Sequence, residues 1–256
     1  MRILFQKMRK LIPDCLNAAG QGTPGAGGKF LTVRTWGMSE TELESMFREH
    51  GSELGVRMGF LARPGRVDLR ISGGRGDEMK GIVLRRLEDN VYSIDPNESL
   101  ESALARRIAD SGRVVAVAES CTGGSLGAAL TSVPGASEWF VGGIIAYSNR
   151  VKTETLGVRE STMERLGAVS LEVAEEMARG ARGLYDADLG VGITGIAGPS
   201  GGTAQKPVGT VCVAVSCGDD LQARDLLLRG GRSSVRASAV SHALGMMLRA
   251  CGGWSQ

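Results

Sequence analysis

Three side chains in the second half of the chain have the types that nucleophilic catalysis requires. Ser120 lies in Ala-Glu-Ser-Cys-Thr-Gly-Gly (118–124), between an apolar run of strand length and a helix-compatible segment. The pattern predicts a serine at a strand-to-helix turn, beside helix N–H groups that favour an anionic transition state. A serine also needs a base, and Tyr147 and Lys152 follow a second apolar run five residues apart. Helix capping by Ser120 or Thr122 is the alternative interpretation.

The basic residues narrow the choice of base. The chain has 24 arginines but only 6 lysines, and only Lys152 and Lys206 lie beyond residue 97. A buried lysine can give up its proton, whereas arginine cannot. The two histidines are His50, in the first third, and His242, in a predicted helix interior where a structural role is expected. The predicted base for Ser120 is therefore Lys152, directly or through the tyrosine, with chance placement as the alternative for either lysine alone.

Two further segments have the composition of anion-binding sites. Residues 194–202 follow an apolar run and contain enough glycine to bring backbone N–H groups against a phosphate or an oxyanion. They match neither the P-loop nor the dinucleotide fingerprint, so a surface turn is the alternative. Arg232 and Arg236 begin the last predicted helix and could hold an anionic group. A solvent-exposed helix face is the alternative for these two arginines.

Composition excludes several classes of protein. The 256 residues are 42% apolar and carry a formal net charge of +2, which gives no electrostatic footprint for nucleic acid or an anionic membrane. The sequence has no apolar run of membrane-spanning length and no signal peptide, so the cytoplasm is the expected location. The five cysteines include no Cys-x-x-Cys pair, so we expect buried thiols rather than a disulfide framework or a metal site.

The first 96 residues are predicted to form a short helix and linker followed by a small α+β domain. Residues 1–28 combine an amphipathic stretch with a glycine-rich segment. Ser39 and Glu42 have the spacing of a capping box. The domain of residues 29–96 is predicted to contain strands over 30–36, 66–71 and 90–94 and helices over 39–49 and 77–88.

Residues 97–256 alternate between strand and helix patterns, which predicts a layered α/β domain. Open α/β sheets bind ligands beyond the ends of their strands, where Ser120, Tyr147, Lys152 and Thr194 are expected to lie. The predicted strands are 113–118, 142–147, 189–194, 208–216 and 223–228, and the predicted helices are 99–111, 123–132, 151–156, 171–184 and 233–250.

Seven ordered motifs resemble the C-terminal domain of the CinA family over about residues 98–250. The family includes stand-alone nicotinamide mononucleotide deamidases, so the resemblance implies a layered α/β/α domain with that activity. The motifs are Ala-Glu-Ser-Cys-Thr-Gly-Gly (118–124), Val-Pro-Gly-Ala-Ser-Glu-Trp-Phe (133–140), Tyr-Ser-Asn-x-x-Lys (147–152), Leu-Gly-Val (156–158), Gly-Ala-Val-Ser (167–170), Thr-Gly-Ile-Ala-Gly-Pro (194–199) and Lys-Pro-Val-Gly-Thr-Val (206–211).

The resemblance implies roles for individual residues. The serine of the first motif is the family's nucleophile, assisted by the tyrosine and lysine of the third motif, which correspond to Ser120, Tyr147 and Lys152. The implied product is nicotinic acid mononucleotide with ammonia, formed without a metal or an organic cofactor, in a protein expected to be a dimer. The implied substrate-binding residues are Cys121, Thr122, Gly123 and Gly124 at the oxyanion, and Thr194, Gly195, Gly198, Lys206 and Arg232 towards the ribose phosphate.

Two departures from the family pattern accompany this resemblance. Many relatives have Gly-Asp-Arg where this chain has Gly230-Gly231-Arg232, which affects the capping and placement of the arginine. Residues 30–94 resemble the small KH-like middle domain of full-length CinA proteins, whereas the molybdopterin-binding-like domain that precedes it there has no counterpart beyond a likeness of residues 1–16 to its tail. No pyrophosphatase activity is therefore assigned.

The KH-like segment supports an alternative function. The sequence Gly73-Gly74-Arg75-Gly76 is an imperfect match to the Gly-x-x-Gly loop with which KH domains clamp a nucleic acid backbone. The alternative is a non-catalytic or regulatory protein that binds nucleotides or nucleic acid. Ammonia release from nicotinamide mononucleotide distinguishes the two functions.

Overall fold

The computed structural model describes residues 30–252, which form two β-sheets covered by helices. The predicted mixed α/β fold is confirmed. The helix and linker predicted for residues 1–28 lie outside the described residues. Within the described chain, no helix is both long enough and apolar enough to cross a membrane.

The N-terminal unit is a four-stranded antiparallel sheet with two helices. The predicted capping box is present, because Ser39 Oγ accepts a hydrogen bond from the Glu42 N–H and the Glu42 carboxylate accepts one from the Ser39 N–H. The elements are β1 (Leu31–Trp36), α1 (Glu40–Glu53), β2 (Arg57–Arg63), β3 (Arg66–Ser72), α2 (Gly76–Arg86), a short 3₁₀ helix (Glu88–Asn90) and β4 (Val91–Ser93). In sheet order the strands are β2, β3, β1 and β4.

The second unit contains a five-stranded mixed sheet and its covering helices. The elements are α3 (Leu100–Ser111), β5 (Val115–Glu119), α4 (Ser125–Thr131), a 3₁₀ helix (Ala136–Glu138), β6 (Phe140–Ile145), α5 (Asn149–Leu156), α6 (Glu160–Leu166), α7 (Leu171–Leu184), β7 (Leu189–Gly195), β8 (Thr210–Cys217), β9 (Asp220–Leu227) and α8 (Arg232–Ala250). The strand order is β6-β5-β7-β8-β9. The first three of these strands are parallel, and β8 and β9 continue the sheet antiparallel.

Alternate residues of the central strands bury two different faces of this sheet, as the two-residue period of a strand requires. On β5, Val115 and Val117 pack into the core shared with α3 and α8, whereas Ala116 and Ala118 face α7. On β7, larger side chains likewise face α3 and α8, and Gly190 faces α7. The result is the predicted helix–sheet–helix layering.

One hydrophobic cluster spans the two units, in addition to the separate core of the N-terminal unit. Trp36 at the end of β1 and Tyr92 on β4 are buried with side chains of α3 and α8. A Cβ atom at Gly245 of α8 would lie 1.9 Å from the Trp36 ring, so this glycine makes room for the indole. An ion pair between Arg66 and Glu101 also joins the units.

Besides the two 3₁₀ helices, the structure contains one strand and one α-helix that were not predicted from the sequence, and it shifts another strand. The strand β2 lies at a sheet edge with most of its side chains exposed, which weakens its apolar alternation. The helix α6 has only seven residues, too few for a clear helical period. The strand predicted over 142–147 is observed as Phe140–Ile145, because β5, its pairing partner, ends at Glu119 opposite Ile145. Tyr147 therefore lies in the loop before α5.

Candidate active site

Ser120 lies at the predicted turn between β5 and α4. Its backbone N–H donates to Ile193 O (2.9 Å), which continues the pairing of β5 with β7 by one residue, and the residue is only 8% exposed. The next turn is closed by Gly123 N–H donating to Ser120 O (3.1 Å). Gly123 and Gly124 both have positive φ, a conformation that favours glycine. The AESCTGG sequence therefore folds locally so that Ser120 directly follows the strand.

A buried carboxylate, which the sequence analysis missed, occupies the N-terminus of α4. Glu119 is 2% exposed and accepts hydrogen bonds from the N–H groups of Gly124 (3.0 Å), Leu126 (3.0 Å) and Gly127 (2.8 Å). The N-cap residue Gly124 has no capping side chain, so neither serine nor threonine of the turn caps the helix. The sequence signal that could have identified this carboxylate is an acidic residue at the end of an apolar strand. Such a residue is expected to be buried, and a buried charge must be hydrogen-bonded.

The Glu119 contacts reduce the number of amides available to an oxyanion. Of the four N–H groups from Cys121 to Gly124, the last two donate to Ser120 O and to the Glu119 carboxylate. In the part of the chain that the structure describes, the N–H groups of Cys121 and Thr122 donate to no other residue. The oxyanion donors expected from the sequence are thereby narrowed to these two.

Lys152 is buried in the wall of the same region. It lies on α5, which begins after the N-cap Ser148, and it is 2% exposed. Its Nζ donates to two backbone carbonyls, Ala146 O (2.9 Å) and Tyr147 O (3.4 Å), and no carboxylate pairs with it among residues 30–252. Burial lowers the pKa of the Lys152 amine, against a smaller opposite effect of the nearby Cys121. A lysine with a lowered pKa and no ion-pair partner is suited to proton transfer.

One cavity of about 190 Å³ brings together seven of the residues predicted to form the site. Cys121 lies in its wall next to Ser120, and burial raises the pKa of the Cys121 thiol to about 11, so the thiol is protonated at neutral pH. Asn149, which the sequence analysis did not assign, also lines the cavity. The seven predicted residues are Ser120, Cys121, Tyr147, Lys152, Thr194, Gly195 and Arg232.

Tyr147 and Arg232 form the rim of this cavity. The Tyr147 side chain is 64% exposed, and its hydroxyl accepts a hydrogen bond from Arg232 Nη2 (3.4 Å). Arg232 Nη1 donates to Gly198 O (2.8 Å), which ties the rim to the glycine-rich loop after β7. The tyrosine contacts Lys152 through its backbone carbonyl and not through its phenol.

The remaining predicted residues lie outside the cavity lining. Thr122 is fully buried, and its hydroxyl has no hydrogen-bond partner within the described residues. The Lys206 amine donates to the carbonyls of Leu166 and Val169, and it lines a separate cavity. Because Val169 borders the Ser120 cavity, Lys206 fixes one of its walls. Gly123, Gly124 and Gly198 also lie outside the lining.

The histidine of the last helix lies elsewhere, as its predicted structural role requires. His242 packs edge-on against Trp36, with ring centroids 6.2 Å apart, and it does not line the Ser120 cavity. Burial lowers the pKa of His242 to about 4, with Arg224 as a lesser cause. The imidazole is therefore neutral at physiological pH.

Comparison with known proteins identifies the relatives of this chain. The family model of the CinA C-terminal domain matches residues 97–251. A competence-damage inducible protein of Acetivibrio thermocellus is 39% identical over 227 residues, covering 85% of this chain and 55% of the relative. A CinA-like protein of Mycobacterium marinum is 39% identical over 229 residues, covering 86% of this chain and 53% of the relative. The chain thus spans about half the length of these curated relatives.

Solved structures match about three fifths of the chain. The crystal structure of a competence/damage inducible protein from Agrobacterium tumefaciens is 38% identical, with a TM-score of 0.57, over 60% of this chain and 97% of that one. A CinA superfamily protein from Enterobacter cloacae is 34% identical, with a TM-score of 0.58, over 59% of this chain and 90% of that one.

Proposed function

The chain belongs to the family of the CinA C-terminal domain, and from this premise we propose that it is an amidohydrolase that removes ammonia from the carboxamide of nicotinamide mononucleotide. The choice of substrate rests on the family resemblance, because the family includes nicotinamide mononucleotide deamidases. The choice of reaction type rests on the Ser120 cavity. The proposal concerns this cavity and not the further domains of longer relatives.

The observation that carries the proposal is the environment of the Lys152 amine, which is buried, donates to two backbone carbonyls and pairs with no carboxylate among residues 30–252. An ammonium group has three N–H donors, whereas a neutral amine has two N–H donors and one lone pair. Two of the positions on Nζ are occupied by N–H groups that donate to Ala146 O and Tyr147 O. In the neutral amine the lone pair is therefore left for the cavity that Ser120 also lines. Burial favours this neutral form.

In the proposed reaction Ser120 Oγ bonds to the carboxamide carbon while its proton moves to Lys152 Nζ. The N–H groups of Cys121 and Thr122 are the proposed donors to the resulting oxyanion. The protonated lysine then gives its proton to the departing nitrogen, the C–N bond breaks and ammonia leaves an acyl-serine. Water, deprotonated by the same amine, hydrolyses the ester to nicotinic acid mononucleotide and restores Ser120.

The proposed nucleophile is tested by ammonia release from nicotinamide mononucleotide. Ser120→Ala is expected to lower turnover about a thousandfold or more while substrate binding survives, because it removes the attacking oxygen. Cys121→Ala is the matched control, since its protonated thiol has no assigned step, and it is expected to retain most of the activity. If Cys121→Ala lost turnover while Ser120→Ala kept it, the proposal that Ser120 is the nucleophile would be wrong.

The same assay addresses the nucleic-acid-binding alternative. A wild-type chain that releases no ammonia, yet binds single-stranded RNA with an affinity that falls steeply with salt, would support that alternative over the amidohydrolase.

A further inference from the structure

A second cavity, of about 410 Å³, lies between the β2–β3 turn and the start of α8. Its charged and polar lining comes from both units of the fold, with Arg63 and Arg66 from the first unit and Arg236, three serines and the carboxylate of Glu101 from the second. It shares no lining residue with the Ser120 cavity.

The positive charges in this cavity are only partly neutralised. The charge of Arg66 is paired, because its guanidinium donates to both carboxylate oxygens of Glu101, and its Nε donates to Ser241 Oγ. Arg63 is not matched in this way, since its nearest carboxylate oxygen, on Asp68, is 4.0 Å away and beyond hydrogen-bond distance. That carboxylate already accepts two hydrogen bonds from Arg34.

Arg236 also retains donors that no residue accepts. Its Nη2 donates to Thr122 O (2.6 Å) and to Ser125 Oγ (2.9 Å). Its Nε is buried without a hydrogen-bond partner among residues 30–252, so it is closed to solvent and to a ligand in the cavity. The free hydrogen-bonding capacity of this guanidinium lies on Nη1, which donates to no residue in the same range and is not among the buried atoms. Arg63 and Arg236 therefore give the cavity two guanidinium groups with unused hydrogen-bonding capacity.

The start of α8 adds to this positive environment. The N-cap residue, Gly231, has no side chain to accept from the first N–H groups of this 19-residue helix. Ser233, in that first turn, lines the cavity together with Ala237, which lies one helical turn further along α8. The N-terminal end of a helix carries positive partial charge and binds anions.

We infer that this cavity binds a phosphate group, held by Arg63 and Arg236 and by the start of α8. Guanidinium groups match phosphate geometry with paired hydrogen bonds. Pro64, Ala237 and Val240 line the rest of the cavity, which suits the organic part of a small phosphate monoester. Because Arg236 also holds Thr122 O, the bound phosphate contacts a residue that supports the Ser120 turn.

The inference is tested by titration calorimetry of the full chain with two probes, inorganic phosphate and ribose 5-phosphate. Both Arg63→Ala and Arg63→Gln are expected to weaken binding at least tenfold. Arg57→Ala is the matched control, because Arg57 is an exposed arginine at the other end of β2 and does not line the cavity. Arg232→Ala controls for phosphate bound at the rim of the Ser120 cavity and is expected to leave this binding unchanged. Tighter binding of ribose 5-phosphate would identify the ligand as a monoester, and equal binding would identify it as the inorganic ion.

Three results would overturn the inference. The first is the absence of binding to the wild-type chain at millimolar probe. The second is an equal loss in Arg57→Ala, which would indicate general electrostatic attraction. The third is a loss in Arg232→Ala with binding intact in both Arg63 variants, which would place the phosphate at the Ser120 cavity.

Discussion

At the scale of single residues, the chemistry of the site depends on two buried ionisable side chains, Glu119 at the end of β5 and Lys152 on α5, the helix that follows the adjacent strand β6. Lys152 has no ion-pair partner within the described chain, and its amine is oriented by two backbone carbonyls. Glu119 is surrounded by backbone N–H groups. Each is removed from water, so each is held in one orientation by hydrogen bonds that the backbone supplies. Ser120 lies between them in the chain, directly after the glutamate.

The proposed base is tested by Lys152→Arg, which keeps the positive charge but cannot release a proton. We expect turnover to fall by about 10² to 10⁴-fold, the range of general base catalysis, and to a similar extent in Lys152→Ala. In the wild-type chain the proposed reaction should become faster with rising pH as the amine loses its proton. Because burial lowers the pKa of Lys152, this rise is expected below the ordinary lysine range near 10.5. Turnover measured against pH for all three proteins provides the comparison.

A lysine that only anchors the substrate would behave differently. Near-wild-type turnover in Lys152→Arg, with the same pH profile, would contradict the proton-transfer role. Substrate affinity measured in parallel separates a loss of binding from a loss of the chemical step.

The second residue prediction concerns Glu119→Gln. A glutamine keeps the shape of the side chain but turns an NH₂ group towards one of the three N–H groups that the carboxylate now accepts from. We expect a loss of about 1 to 3 kcal/mol in the free energy of unfolding, the cost of leaving a buried polar group unsatisfied. Glu164→Gln, at an exposed position on α6, is the control and should change stability by less than about 0.5 kcal/mol. If urea unfolding gave Glu119→Gln and Glu164→Gln the same stability, the Glu119 carboxylate would not be holding the turn.

At the scale of elements, the close packing of α7 against the sheet depends on glycine residues, which have no side chain to separate the backbones. A Cβ atom at Gly192 of β7 would lie 2.1 Å from Ala174 O, and one at Gly190 would lie 2.1 Å from Ala178 O. Likewise, a Cβ atom at Gly180 of α7 would lie 2.0 Å from Leu156 O at the end of α5. The helix α7 thus packs closely on β7 and on α5, which carries Lys152.

The corresponding test is Gly192→Ala. The added methyl group must displace α7 from the sheet, so we expect a loss of about 1 to 3 kcal/mol in the free energy of unfolding. Gly183→Ala provides the control on α7 itself, because a Cβ atom there meets nothing within 4 Å. That substitution should be neutral or stabilising, since it restricts the unfolded chain. If urea denaturation gave the two variants equal stability, the close approach of α7 would not be limiting.

At the scale of the whole molecule, the two sheets are joined through a core that includes Trp36, and His242 lies at this junction. Arg224 stacks over the indole at 5.4 Å, and the imidazole meets it edge-on. The Nδ1 atom of His242 is buried without a hydrogen-bond partner in the described structure. Protonation of this histidine would therefore place a charge in an apolar junction next to an arginine.

This arrangement predicts how stability depends on pH. The pKa of His242 is lowered to about 4 in the folded chain, from about 6.5 when unfolded, so the unfolded state binds more protons between these values. The neutral histidine therefore contributes to the free energy of unfolding above pH 6.5. This contribution is lost as the pH falls towards 4, a change of about 3 kcal/mol in the free energy of unfolding. His242→Phe keeps a ring against Trp36 but cannot be protonated. We expect its urea midpoint to vary less over this range than that of the wild type, and parallel pH profiles would contradict this account.

The sequence by itself determined the features that depend on residues close together along the chain. The capping box of Ser39, the strand, turn and helix around Ser120, and the order of most strands and helices follow from local patterns of apolar, polar and glycine residues. The motifs also identified the family. The edge strand β2 and the short helix α6 escaped prediction because their local patterns are weak.

Only the tertiary structure decided which predicted residues meet in the Ser120 cavity. The burial of Lys152, the use of the α4 amides by Glu119, and the position of Lys206 outside the cavity lining, where it donates to two carbonyls, all depend on atoms from separate elements. The physical reason is that hydrogen bonding and desolvation are set by distances of a few ångströms between elements, whereas local sequence patterns determine only which element forms and which face it buries.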